Sequence, residues 1–360
     1  MRARPDEGLI VKLLCRGCSP LATLWIGLLF AACALAAQNN AQPASGGQQP
    51  RYRTSFEIYD LATKVIKTVF TAEGTWECPS FTRDGKYLIS NMGGNLYRIP
   101  IDGDKTGAPE RIALSEPMRA TNDHALSYDG KMLAISGFTG ELLHASDGWR
   151  IGPHGEATSK ADLFIANLDG SHARRLLVGW LHGWSPDGKY VTFVANRKGD
   201  FDLFRVKVDG TGETQLTTSP AEDDGPDYAA DGKWIYFCSN RGGKWDVWRM
   251  PADGAGENDK LAEKVASSAA QDWFPHVSPD GKWLYAIGYP PDQPGHLFIG
   301  ADVKLSLWPL IGGAGGQVGV LETVSTFYGG QGSGNTSGWS PDSKKIAWSA
   351  YAKLPVEVVK

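Results

Sequence analysis

The 360-residue chain is poor in cysteine, with five, and three of them (Cys15, Cys18 and Cys33) fall in its first 33 residues. Cys78 and Cys238 remain, in repeats expected on opposite sides of a ring, which excludes a disulfide because that bond needs Cα atoms within about 7 Å. An excess of charge of either sign is also missing: 36 Lys and Arg face 40 Asp and Glu, for a formal net charge of −4. Nucleic-acid binding rests on clustered cations that neutralise phosphates, so DNA and RNA are excluded as partners. There is no G-x-S-x-G turn of a hydrolase domain and no G-x-x-x-x-G-K-[ST] phosphate loop. The apolar stretch at residues 21–35 falls short of the roughly 20 residues that a membrane span needs.

That stretch has a different meaning. Arg2, Arg4, Lys12 and Arg16 precede it and the small-residue site Ala34-Leu35-Ala36 follows, so residues 1–37 read as a signal peptide and the protein as periplasmic or secreted. Phe30-Ala31-Ala32-Cys33 resembles a lipoprotein signal with Phe in place of Leu, which keeps lipidation of Cys33 as an alternative. The C-x-x-C at Cys15 and Cys18 lies in the removable segment and is not expected to bind metal. Residues 38–51, rich in Gln, Asn, Gly, Ala and Pro, read as a disordered linker, and residues 52–360 as the folded body.

The body is rich in what many short strands and tight turns require: 44 Gly, 21 Pro, 13 Trp, 12 Tyr and 13 Phe in the chain. One element recurs six times: Phe81-Thr-Arg-Asp84-Gly-Lys, Leu126-Ser-Tyr-Asp129-Gly-Lys, Trp184-Ser-Pro-Asp187-Gly-Lys, Tyr228-Ala-Ala-Asp231-Gly-Lys, Val277-Ser-Pro-Asp280-Gly-Lys and Trp339-Ser-Pro-Asp342-Ser-Lys. A spacing of 44 to 62 residues suits four-stranded propeller blades. Pro presets φ, Asp suits the second central position and Gly supplies the left-handed residue, so these aspartates are expected to form turns.

Each turn leads to an apolar strand such as Tyr190-Val-Thr-Phe-Val194, a polar loop, an alternating strand such as Asp202-Leu-Phe-Arg-Val206, and a second Asp-Gly turn such as Asp209-Gly210 before an outer strand. The last unit stops after its second strand, near Tyr351, while the body begins with two strands that have no preceding turn, around residues 54–60 and 65–70. Joining them predicts an all-β, six-bladed β-propeller closed by both chain ends, which removes exposed sheet edges.

The Trp-Ser-Pro-Asp-Gly-Lys element, followed by Asn196-Arg-Lys-Gly-Asp-Phe-Asp202 and Asn240-Arg-Gly-Gly-Lys-Trp-Asp246, is similar to the propeller repeats of the TolB family, over about residues 52–351. The resemblance implies the fold and an envelope binding role. TolB itself carries an α/β domain before its propeller, for which the short linker leaves no room.

Innermost strands of a propeller line its axis, so residues just before each turn converge there. Those positions supply Glu77, Asn122, Asp123, His124, His182, Asp223, Asp224, Asp227, Asp272, Trp273, His276 and Gln331. Three of the seven histidines are among them. Imidazoles with carboxylates and an amide suit a divalent metal (Mn, Zn or Ca) on His124, His182, His276 and Gln331, or acid–base work with Asp224 or Asp227 as base. The same residues also suit a structural role, since propellers bury polar groups and water near the axis. The connections at residues 137–160 (with His144, Asp147, Trp149, Arg150 and His154) and 290–302 (with Asp292 and His296) are expected on the face of the histidines, and the glycine-rich residues 325–337 to let backbone approach a ligand. Trp76, Trp149, Trp180, Trp184, Trp273 and Tyr328 offer rings that stack on sugars, although most are expected to pack within blades, and Trp184 and Trp339 are assigned to the core.

Two functions follow as expectations. One is a monomeric envelope propeller that binds a protein segment or a polysaccharide at its channel mouth. The other is a metal-assisted lyase or hydrolase on carbohydrate, since some oligogalacturonate lyases are propellers with a His/Gln metal site.

Overall fold

The computed structural model describes residues 51–140, 161–293 and 299–355. The expected signal peptide, nearly all of the linker, and His144, Asp147, Trp149, Arg150, His154 and His296 lie outside the described residues. Six antiparallel sheets follow one another along the chain. Their innermost strands are Trp76–Phe81, Arg119–Leu126, Trp180–Trp184, Asp223–Tyr228 and Gln271–Val277 in blades 1 to 5. Blade 6 departs from this pattern: its inner segment touches the sheet through a single bridge, Trp339 to Ile346.

The ring closes as the sequence predicts. Tyr52–Asp60 pairs antiparallel with Lys345–Lys353 in unbroken register, from Tyr52 opposite Lys353 to Asp60 opposite Lys345. Val65–Glu73 then pairs with Tyr52–Asp60 as the outermost strand. Strands from the two ends of the described body thus share one sheet, which closes the ring.

The repeated aspartates act on their own turns. Asp187 accepts hydrogen bonds from Ser185 Oγ at 2.7 Å and from the Lys189 amide at 3.1 Å. The following Gly188 has φ 71°, a left-handed conformation that costs glycine little. Asp129, Asp280 and Asp342 repeat this arrangement. Trp184 and Trp339 are buried, and each indole N–H donates to a carbonyl of the preceding blade, Ala125 or His276, at 3.0 Å. These residues fasten neighbouring blades. No helix among the described residues is long and apolar enough to cross a membrane.

Candidate functional site

The inner strands are interrupted where the candidate residues stand. Pairing register shifts between Glu77 and Ser80, Ala120 and His124, Leu181 and Gly183, Asp224 and Asp227, and Trp273 and His276. In three blades the irregularity is a left-handed residue followed by proline: Cys78 (φ 53°), Gly225 (φ 63°) and Phe274 (φ 53°). Such bulges re-aim side chains, here towards the axis.

Two histidine–carboxylate pairs result. His182 Nε2 lies 3.1 Å from Asp224 Oδ1, linking blades 3 and 4. His276 Nδ1 lies 2.8 Å from Asp227 Oδ2, linking blades 4 and 5, and its Nε2 is 3.2 Å from the Gly334 carbonyl. A Cβ at Gly183 would lie 2.9 Å from Asp227 Oδ1, so glycine there admits the carboxyl group. Hydrogen bonds to Asp224 raise the His182 pKa against the lowering effect of burial.

Blades 1 and 2 contribute carboxyls that resist ionisation. Burial, then the charge of Asp123, pushes Glu77 to about 8, and burial pushes Asp123 to about 6. Glu77 accepts from Asn91 Nδ2 at 3.2 Å, and Asp123 accepts from Thr121 Oγ1 at 3.0 Å and from Asn335 Nδ2. His124 is fully buried, and burial lowers its pKa to about 4. Neither of its ring nitrogens makes a hydrogen bond to a described group, although backbone of Cys78, Ile89 and Asn122 lies near. Asn122 Nδ2 and Gln331 Oε1 are likewise buried without a partner.

Three candidates turn elsewhere, because they precede the bulges and serve the loops that enter the strands. Asp223 forms a buried ion pair with Arg241 at 2.7 Å, and Arg241 also reaches Asp259 at 3.1 Å. Asp272 accepts from the Ser268 amide at 2.7 Å and its hydroxyl at 2.8 Å. Trp273 stacks on Trp245 with ring centroids 3.7 Å apart, and is a packing residue. Trp76 is buried too, against Tyr97 at 5.0 Å, and Trp180 packs edge-on to Phe138 at 5.8 Å.

The glycine-rich stretch approaches the protein's own groups. Residues 329–336 are buried and pack along the inner strands, from Gly332 beside Glu77 to Thr336 beside Ser80. Asn335 binds Asp123, Thr336 Oγ1 lies 3.1 Å from Ser80 Oγ, and a Cβ at Gly332 would fall 2.6 Å from Glu77 Oε1. The remaining cavity, of about 60 Å³, contains His124, His182 and Asp227 in its wall and extends to Arg83, Tyr128 and Pro279 in the turns that follow the inner strands. It therefore reaches the end of the channel at which the inner strands turn back, and Thr336 and Ser337 of the glycine-rich stretch line it too. Of the 290–302 connection, the Pro290 and Pro291 carbonyls accept from Gln271 Nε2 at 3.2 and 3.3 Å.

His276 uses its nitrogens on Asp227 and Gly334, His182 is turned to Asp224, and among the described residues no group of three His, Cys, Asp or Glu side chains is placed to hold a metal ion. Asp224 and Asp227 each stand against an imidazole, and Asp227 also lines the cavity. Arg83, Tyr128 and Asn335 were missed by the sequence reading, although Arg83 and Tyr128 stand where three other repeats have proline.

The TolB beta propeller domain family matches residues 158–293. An uncharacterized protein of Agrobacterium fabrum is 34% identical over 316 residues, 87% of this chain and 97% of that protein. A solved structure of a provisional TolB from Agrobacterium tumefaciens is 33% identical with a TM-score of 0.71, covering 85% of this chain and 99% of the other. An oligogalacturonate lyase in complex with manganese is 14% identical with a TM-score of 0.50, covering 85% and 84%, which is a likeness of fold alone. With a relative matched at this identity over nearly its whole length, the chain belongs to the TolB-like β-propeller family.

Proposed function

We propose that the protein is an exported binding propeller that holds an extended protein segment at a mouth of its channel. The observation that carries this reading is how the axial polar groups are used. His182 on Asp224, His276 on Asp227 and Asn335 on Asp123 tie blade to blade and leave a cavity of about 60 Å³. Pockets that enclose small ligands are larger, about 300–1,000 Å³. A space of this size suits the tip of a side chain or a chain end, which supports a protein segment more than an envelope polysaccharide. Turnover has less support than binding, because the polar groups already serve each other. Residues 1–37 would direct the chain to the periplasm.

Photo-reactive side chains test this: one at Ala230 on the turn-face rim, one at Glu222 beside the opposite mouth and one at Lys67, exposed on the outermost strand of blade 6. In envelope extracts, one of the two mouth positions is expected to capture a defined protein that the Lys67 position does not. Equal labelling from all three positions would remove the proposal.

A further inference from the structure

Resting on that reading, we infer that the bound segment enters from the turn face and presents a carboxylate to Arg83. In three repeats the residue before the turn aspartate is Pro186, Pro279 or Pro341, whereas blades 1 and 2 have Arg83 and Tyr128. The turns do not need these side chains, since Asp84 and Asp129 make the same local hydrogen bonds as Asp187 and Asp280. Their use lies over the channel.

The Arg83 guanidinium stands 4.6 Å from the centre of the Tyr128 ring. Its Nε donates to the Ser127 carbonyl at 3.2 Å and its Nη2 to the Leu126 carbonyl at 3.3 Å. The Tyr128 hydroxyl donates to the Tyr228 carbonyl of blade 4 at 3.2 Å, which fixes the ring. A guanidinium stacked and bonded in this way is held in place before any ligand arrives, and its planar donors match a carboxylate. Arg83 Nη1 makes no hydrogen bond among the described residues.

Arg83 and Asp227 both line the cavity, but Asp227 already has His276 at 2.8 Å, whereas no described carboxylate forms a salt bridge with Arg83. In the wall of the same cavity His182 has Nδ1 without a protein partner, and its side chain is more than nine-tenths buried. An imidazole N–H can donate to the carboxylate's second oxygen. The cavity, of about 60 Å³, also has room for a carboxylate group.

Three capped peptides provide the test by calorimetric titration: acetyl-trialanine with a free C-terminal acid, its C-terminal amide, and an acetylated, amidated Ala-Glu-Ala. Wild type is expected to bind one of the two carboxylates at least tenfold tighter than the plain amide, and which one identifies a chain end or an acidic side chain as the source. Arg83→Gln should abolish that preference, while Arg83→Lys, which keeps the charge, should retain part of it with an unchanged melting profile. Equal affinity for acid and amide, a preference that survives Arg83→Gln, or no binding of any peptide would overturn the proposal. If in the last case the mouth-positioned cross-linkers still capture a protein, the binding reading stands and only the carboxylate is lost; if they capture none, both fall.

Discussion

His276 Nδ1 and Asp227 Oδ2 meet at 2.8 Å, joining the inner strands of blades 5 and 4 beside the axis. The His276 side chain is 2% exposed and that of Asp227 16%, so little water stands ready to replace either partner. His276→Ala leaves the carboxyl without its partner and is expected to cost about 2–4 kcal/mol of stability. Denaturant unfolding of His276→Ala, Asp227→Asn and the double variant measures it. Additive losses would mean that the pair does not couple.

Glu77 links stability to pH. Its folded pKa, about 8, is raised above the ordinary 4.5, so its favourable share is complete below 4.5 and is lost as pH rises through 8. Glu77→Gln removes the ionisable group. The variant should therefore gain on wild type between pH 5 and pH 8, by on the order of 1–3 kcal/mol. Melting curves at both pH values check this, and a constant difference would show that Glu77 ionises without penalty.

Two glycines separate crowding from backbone strain. A Cβ on Gly332 would meet Glu77 Oε1 at 2.6 Å and the Tyr351 hydroxyl at 2.8 Å. Gly332→Ala is expected to destabilise by about 1–3 kcal/mol and to raise hydrogen exchange across residues 329–336. Gly313 has φ 85° with open space around it, so Gly313→Ala carries only the left-handed penalty, about 1 kcal/mol, and leaves exchange in that segment unchanged.

Ring closure can be tested by removing strands. A chain that starts at Val65 keeps the outermost strand of blade 6 but loses Tyr52–Asp60, which connects it to Lys345–Lys353. Exposed edges should then drive association, visible as aggregates in size-exclusion chromatography. A monomeric product with wild-type melting would contradict closure as a source of stability.

The fold was legible because each blade repeats a local signal. Asp187 and Gly188 make their turn through bonds within five residues, so the pattern survives without knowledge of the rest of the chain. The unpaired strands at both ends of the body then implied their own pairing. The site was legible only in part: placing His124, His182 and Asp227 on a shared cavity followed from strand position, yet Asp223, Asp272 and Trp273 occupy equivalent stretches and point into ion pairs and stacking.

Sequence alone determined the number of blades, the turn chemistry and the joining of the chain ends, because these depend on contacts between near neighbours or on repeats that count themselves. Tertiary structure alone decided which imidazole meets which carboxyl, that residues 329–336 pack against Glu77, Ser80 and Asp123, and that Arg83 lies on Tyr128. Those outcomes hang on one-residue bulges near Cys78, Gly225 and Phe274, where a small change in backbone angle swings a side chain from blade to axis.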